Sequence, residues 1–156
     1  MTVDRDESVE SLYVEHADRL WRALFAYAGD PEVASDAVSE AFAQYLRRRS
    51  AVRSPARWIW RAAYRLAAGE LKERRRQDAP LPISIDLPAV PQPTSELLST
   101  LRLLPPRQRA ALVLHYYAGY KAREIAYILG STAATVRVHL SQGRRRLRRI
   151  LEEDRD

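Results

Sequence analysis

Apolar residues recur at steps of three and four along most of the chain, which is the period of an amphipathic helix. In the first half the stripes cover residues 8–27, 32–49 and 56–76. Asp30-Pro31 and Ser54-Pro55 stand directly before the second and third stripes. Each pair places a good N-cap residue ahead of a proline, which suits the first helical turn. The first half is therefore predicted to fold as a small helical bundle.

A proline-rich segment, 77–93, interrupts the helical pattern, with prolines at positions 80, 82, 88, 91 and 93. Such a density blocks both helix and central strand, so this segment is predicted to be a linker. Beyond it, shorter helical stretches follow at residues 95–104, 107–118, 121–129 and 133–152. No strand pattern is present. The predicted fold is all-α, with two small helical domains, 1–76 and 94–156, joined by the linker.

The strongest local signal is a helix-turn-helix pattern at residues 121–142, KAREIAYILGSTAATVRVHLSQ. Gly130 can adopt the left-handed backbone that a tight turn requires, and Ala126 is small where the two helices must cross. Ile125 and Val136 have the spacing to lock the helices together. In this motif the second helix enters the DNA major groove, which predicts a nucleic-acid partner.

Charge is unevenly distributed, and this strengthens the prediction. Residues 47–76 hold 11 basic and 2 acidic residues, and residues 100–151 hold 11 and 1, whereas residues 1–46 hold 3 and 10. Two basic blocks with so few compensating acids favour contact with a polyanion over a merely solvated surface. A helical hairpin without a nucleic-acid partner is the alternative.

The second helix of the motif offers residues for both kinds of DNA contact. Near its N-terminus, short polar side chains and backbone N–H groups favour a phosphate, and its groove-facing side can reach base edges. The arginines of residues 144–149 extend the basic surface toward phosphates. The predicted DNA-binding residues here are Thr132, Thr135, Arg137, Val138, Ser141, Gln142 and Arg145.

Several functional classes are not indicated by the sequence. The chain contains no cysteine, no apolar run long enough for a membrane span and no apolar stretch within residues 1–10. We therefore expect no disulfide, no membrane insertion and a cytoplasmic location. Its histidines, at positions 16, 115 and 139, are far apart, and no phosphate-binding loop or nucleophile elbow occurs. No enzyme activity, metal or cofactor is predicted.

These residues carry a resemblance to one family. LPPRQRAALVL (104–114), EIAYILG (124–130) and Thr135-Val136-Arg137 resemble region 4 of the extracytoplasmic-function (ECF) sigma factors, within the sigma-70 family. Residues 12–48 and 54–76 resemble region 2 of the same family, so the similarity covers nearly the whole chain. It implies a protein that binds core RNA polymerase and directs it to promoters, with region 4 contacting the −35 element and the β flap.

The resemblance also assigns roles in the first half. It implies that Asp36, Val38, Glu40 and Phe42 dock on the β′ clamp helices, although Phe42 could equally belong to the core. It implies that residues 57–76 melt and bind the −10 element, and aromatic rings between arginines suit single-strand capture. We expect Trp58 in the core, with Trp60 and Tyr64 as better surface candidates. The side chains predicted to bind the −10 element are Arg57, Trp60, Arg61, Tyr64 and Arg65.

Other functions remain open from the sequence. An autonomous helix-turn-helix regulator would bind duplex DNA without polymerase, usually as a dimer on a two-fold site. An adaptor that binds polymerase without DNA is a third reading, which the two basic blocks disfavour. The family resemblance further implies an anti-sigma factor as a possible partner.

Overall fold

The described part of the protein consists of seven α-helices and one π-helical turn. The computed structural model describes residues 3–49, 52–77 and 92–153, with side chains from residue 9 and, in the last segment, from residue 96. The helices are α1 (Val3–Ala28), α2 (Pro31–Arg48), α3 (Pro55–Arg76), α4 (Gln92–Leu101), α5 (Pro106–Leu112), α6 (Ala122–Leu129) and α7 (Ala133–Glu153). These segments contain no strand, so the all-α prediction is confirmed.

Two proline-led helix starts follow the sequence prediction. The Asp30 carboxylate accepts a 2.8 Å hydrogen bond from the Glu32 backbone N–H and so caps α2. The same carboxylate pairs with the Arg74 guanidinium on α3, which joins the two helices. Ser54 occupies the corresponding position before Pro55, but its side chain makes no cap hydrogen bond. Pro55 and the backbone alone therefore define the start of α3.

The predicted single helix over residues 107–118 is instead two kinds of helix. After α5 the chain widens into a π-helical turn, Val113–Tyr117. The Ala118 N–H donates to the Val113 carbonyl at 3.1 Å, and the Tyr120 N–H donates to the Leu114 carbonyl at 3.0 Å. Gly119 follows with φ of 79°, where an L side chain would be strained. Beyond the turn, the Tyr120 ring contacts Trp60 of α3 edge-on, with the ring centroids 5.3 Å apart.

One continuous cluster of buried side chains contains residues from both halves of the chain. Its largest fully buried members are Trp60, Tyr64, Leu20, Leu24, Ile59, Leu114, Ile125 and Val136. Helix α3 packs against α1 and α2 on its own side and against α6 of the C-terminal half. The predicted linker lies outside the described residues except for Gln77 and the start of α4. None of the described helices is long and apolar enough to cross a membrane.

Candidate nucleic-acid interface

Helices α6 and α7 form the helix-turn-helix expected from the sequence. Gly130 ends α6 with φ of 65° and ψ of 45°, the left-handed conformation, and its N–H donates to the Tyr127 carbonyl at 3.4 Å. The Glu124 carboxylate accepts a 3.1 Å hydrogen bond from the Lys121 N–H at the start of α6. Ile125 and Val136 are fully buried between the two helices. The turn and its apolar lock therefore hold α7 at a fixed angle.

Helix α7 turns its predicted DNA-binding residues to solvent. All seven are exposed: Thr132, Thr135, Arg137, Val138, Ser141, Gln142 and Arg145. Helical spacing places Thr135, Val138, Gln142 and Arg145 along one stripe, and Arg137 and Ser141 along the adjacent one. Val136, Leu140 and Gly143 are buried on the opposite side. The arrangement presents a mixed polar and basic face with no acidic member.

Close packing behind this face fixes its position. A Cβ at Gly143 would lie 3.0 Å from the Leu112 Cδ1 atom, so any larger residue would require the Leu112 side chain to shift by a few tenths of an ångström where α7 crosses α5. The Gln108 amide donates to the Gln142 side-chain oxygen at 3.3 Å, and the Arg144 guanidinium donates to the Tyr116 hydroxyl at 3.1 Å. Sequence reasoning missed Gln108 and Tyr116, since both are distant from α7 along the chain.

The two threonines at the start of α7 also have a structural role. The Thr132 hydroxyl oxygen accepts a 3.1 Å hydrogen bond from the Thr135 N–H, which is the arrangement of an N-cap. The same hydroxyl donates to the Thr135 hydroxyl oxygen at 2.9 Å. Both residues remain exposed, so a phosphate could reach the remaining N–H groups of the first turn.

Helix α3 buries two aromatic rings that the sequence had favoured for the surface. Trp60 is 1% exposed and Tyr64 is 2% exposed, whereas Trp58, expected in the core, is only half-buried against Tyr45. The surface prediction for Trp60 and Tyr64 is wrong in this arrangement. Tyr64 packs on Tyr27 of α1, and its hydroxyl donates to the Ala23 carbonyl at 3.4 Å. Burial raises the pKa of Tyr64 well above its usual value, so it stays neutral.

The arginines of α3 lie at the boundary between the two halves. The Arg61 guanidinium donates to the Tyr127 backbone carbonyl at 3.1 Å, and it lies 4.8 Å from the centre of the Tyr127 ring. Arg57 is exposed, with its Nε 3.8 Å from a Glu124 carboxylate oxygen. Arg65 is exposed and lines a cleft of about 250 Å³ between the halves, together with Arg61 and Arg107. The side chains predicted for the −10 element thus share one region, but partners cover several of them.

Only two of the four α2 residues predicted to bind polymerase are exposed to solvent. Asp36 and Glu40 are exposed, while Val38 and Phe42 are each 6% exposed. Of the two placements that the sequence left open for Phe42, the structure shows the core, where the ring packs edge-on against the Tyr13 ring of α1 at 5.1 Å. Tyr13 is itself 54% exposed and supplies the aromatic surface that Phe42 does not. Its place within the apolar stripe of α1 concealed this from the sequence.

Glu40 is held in place by its neighbours on α2. Arg47 pairs with the Glu40 carboxylate at 3.0 Å, and the Gln44 amide donates to the same oxygen at 3.3 Å.

Within the segments that the structure describes, no group of three or more potential metal-ligating side chains occurs. The groups brought together here are suited to binding charged and aromatic partners.

Comparison with known proteins finds similarity to sigma factors. The family model for sigma-70 region 4 matches residues 94–147. The ECF sigma factor SigE of Mycolicibacterium smegmatis is 29% identical, over 92% of this chain and 62% of that protein. The ECF sigma factor SigL of Mycobacterium tuberculosis is 26% identical, over 93% of this chain and 89% of that protein. The chain thus spans less than two thirds of SigE and most of SigL.

A solved structure shares the fold. The sigma factor RpoE of Bartonella quintana, in complex with the anti-sigma factor NepR, superposes with a TM-score of 0.80 at 16% identity. The match covers 96% of this chain and 97% of that one, so it includes both helical halves. Together, the comparisons show that residues 94–147 match sigma-70 region 4 and that the chain is similar in sequence to ECF RNA polymerase sigma factors over more than nine tenths of its length.

Proposed function

We propose that this protein binds core RNA polymerase and directs it to specific promoters for transcription initiation. The observation that carries the proposal is the open face of α7, on which all seven predicted DNA-binding residues are exposed. The relatives SigE and SigL are both ECF RNA polymerase sigma factors, which supports the same role here. As a binding subunit, the protein requires no catalytic residue or cofactor of its own, and it acts in the cytoplasm.

The two halves divide the promoter between them in this proposal. Residues 94–156 contact the −35 element through α7, with Arg137 and Gln142 toward base edges and Arg145 toward phosphate. Residues 1–76 engage the −10 element through α3, where arginines and aromatic rings alternate. The linker, residues 77–93, lets the two halves reach separate sites on one DNA molecule.

Polymerase contacts are proposed for both halves. Asp36 and Glu40 form an exposed acidic surface on α2, and Tyr13 adds an exposed ring on neighbouring α1. This combination suits a basic, partly apolar partner such as the β′ clamp helices. The C-terminal half would contact the β flap. An anti-sigma factor is a further proposed partner, since the structurally similar RpoE was solved with one.

Transcription by purified core polymerase on a pool of promoter fragments tests the proposal. We expect run-off products only when the protein is added, and loss of them with Arg137→Ala. Arg123→Ala, an exposed arginine on α6 outside the predicted set, is the matched control and should leave the products unchanged. Tight binding to duplex DNA without polymerase, and no initiation with it, would instead identify an autonomous regulator.

A charge reversal on α2 tests the proposed polymerase-binding surface. Asp36→Lys reverses one exposed charge on α2 and should weaken capture of core polymerase on an affinity column. Asp18→Lys makes the same reversal on α1, where the carboxylate pairs with Arg22 at 3.2 Å, and serves as the control. Equal capture of both variants would exclude the α2 surface.

A further inference from the structure

A pair of glutamines connects α5 to the open face of α7. The Gln108 side-chain NH2 group donates to the Gln142 side-chain oxygen at 3.3 Å. Gln142 is exposed and belongs to the residues predicted to contact DNA, whereas Gln108 is half-buried on α5. What a base edge meets at Gln142 therefore depends on a residue of another helix.

The position of Gln108 within α5 leaves its side chain available for this contact. Pro105 is the N-cap residue of α5, so Gln108 is the third residue of the helix. A glutamine at this position commonly accepts a hydrogen bond from the backbone N–H of the N-cap residue, but proline has no N–H to donate. The Gln108 side chain therefore lacks this partner in its own helix and extends to α7 instead.

The close crossing of α5 and α7 at Gly143 places Gln108 behind the open face. Gly143 is buried, and a Cβ built on it would lie 3.4 Å from the Cβ atom of Gln108. Gln108 therefore lies beside the buried side of α7, and its hydrogen bond draws the Gln142 oxygen toward α5. The NH2 group of Gln142 is the end of the amide that is left to face DNA.

Burial of the other end of the Gln108 amide fixes its direction. The Gln108 side-chain oxygen is buried and has no hydrogen-bond partner among the described residues. With the amide reversed, both N–H donors of its NH2 group would occupy this buried position instead. A buried N–H without a partner is less tolerated in proteins than a buried oxygen without one, so Gln108 keeps its NH2 group toward Gln142.

The exposed NH2 group of Gln142 changes which base edge the side chain fits. A glutamine free to rotate pairs with adenine, accepting from the N6 amino group and donating to N7. With its oxygen drawn toward α5, Gln142 would bring its own N–H donors against the adenine amino group. Guanine instead presents two acceptors, O6 and N7, at the same edge of the major groove.

We propose that Gln108 is a positioning residue, which makes Gln142 select a guanine edge over an adenine edge at one position of the −35 element. Gln108 acts through the direction of the Gln142 amide and does not itself reach a base. The inference rests on the proposed function, and it adds a base preference that the sequence of α7 alone does not give.

Competition binding of the full-length protein with core polymerase to a set of single-base −35 variants tests the proposal. Gln142→Ala first identifies the base position that Gln142 contacts, as the position at which the preference is lost. There, we expect wild type to bind guanine over adenine by roughly two- to tenfold, the effect of one hydrogen bond. Gln108→Met keeps the length of the side chain but has no amide, and it should lower this ratio to about one or less as Gln142 becomes free to pair with adenine.

Gln108→Glu should reverse the preference. The substitution keeps the shape of the side chain but replaces its NH2 donor by an oxygen, so Gln142 turns its own NH2 group toward α5 and presents its oxygen to DNA. That oxygen accepts from the adenine amino group, and the guanine-to-adenine ratio should fall below one. The added negative charge weakens binding to every sequence alike, so the ratio is the informative quantity.

The same two substitutions in the Gln142→Ala background are the matched control. There, neither Gln108→Met nor Gln108→Glu should alter the ratio, because the side chain through which Gln108 acts is absent. The proposal is overturned if Gln142→Ala changes no base preference, if wild type prefers adenine, or if the Gln108 substitutions leave the ratio unchanged or shift it equally in both backgrounds. In each of these cases promoter-specific initiation by wild type leaves the proposed function standing. If wild type directs no initiation at all, the proposed function fails and the inference falls with it.

Discussion

Helices α3 and α7 are nearly equal in length and both rich in arginine, yet one basic face is covered and the other is open. On α7 the apolar anchors Val136 and Leu140 lie opposite the arginines, so anchoring the helix leaves its basic face free. On α3 the rings of Trp60 and Tyr64 share the side of Arg57 and Arg61. Charge therefore predicts which faces a polyanion would contact, while the placement of the aromatic rings decides whether such a face is open in the structure.

The largest expected effect comes from Trp60→Ala. Removal of a fully buried indole leaves a cavity between α3 and Tyr120 and should cost about 3–5 kcal/mol of unfolding free energy. Val138→Ala, on the half-exposed side of α7, should cost less than about 0.5 kcal/mol. Urea unfolding of both variants measures the difference. Similar losses for the two would remove the distinction between a covered and an open face.

Arg137→Ala should weaken binding of the open face to its promoter by about 1–3 kcal/mol. If Arg137 contacts a base edge, the loss is confined to one base position of the −35 element. Competition binding of the polymerase complex to a set of single-base variants measures this. A uniform loss across all sequences would make Arg137 a phosphate contact instead.

The Asp30–Arg74 pair belongs to neither face and serves as a reference for stability alone. Asp30→Asn keeps the α2 cap but removes the ion pair, and it should cost about 1–2 kcal/mol. Binding of −35 duplex by the polymerase complex should not change. Impaired duplex binding at a temperature where the variant is fully folded would show that the two halves are coupled through this pair.

The Asp30–Arg74 pair also makes the stability of the fold depend on pH. Burial raises the pKa of Asp30, but hydrogen bonds from Arg74 and the Glu32 N–H, with the Arg74 charge, outweigh it and lower the pKa below 3.8. A carboxyl with a lowered native pKa stabilises the fold above its unfolded pKa and loses this effect as pH falls through the native value. The stability gap between wild type and Asp30→Asn should thus persist down to about pH 4 and close at more acidic pH. If the stability difference between wild type and Asp30→Asn disappeared nearer neutral pH, a titratable group other than Asp30 would be responsible.

Arg145→Ala should have the smallest effect. As a phosphate contact on the open face, it should weaken binding on every sequence alike and reduce the slope of log affinity against log salt by about one. Titrations of the polymerase complex at several salt concentrations measure the slope. Arg65 on the covered helix is the matched comparison, because Arg65→Ala should leave the duplex −35 slope unchanged.

Much of the fold follows from local sequence signals. Helical periodicity locates each helix to within a few residues, and Asp30 and Gly130 mark a start and an end as predicted. These features depend on neighbouring residues only. The π-helical turn was missed because it depends on the carbonyl partners of Ala118 and Tyr120, which no composition pattern reveals.

The candidate site was predicted unevenly for a related reason. On α7 every predicted residue is exposed, since apolar and polar residues occupy separate sides. On α3, Trp58 and Trp60 lie on different sides of the helix, and periodicity alone could not decide which ring is inside. Contacts with Tyr120 and Tyr27 decide it, and these residues are brought to α3 by the packing of distant segments. For Phe42 the sequence left both placements open, and the contact with Tyr13 on α1 decides between them.

The indole N–H of Trp60 is buried and has no hydrogen-bond acceptor among the described residues. A buried donor without a partner costs about 1–3 kcal/mol, and water would satisfy it once the ring is uncovered. Packing the two halves together thus leaves two donors unmet, the Trp60 indole N–H and the Nε of Arg109 on α5, and their desolvation offsets part of the free energy gained by burying the surrounding apolar groups.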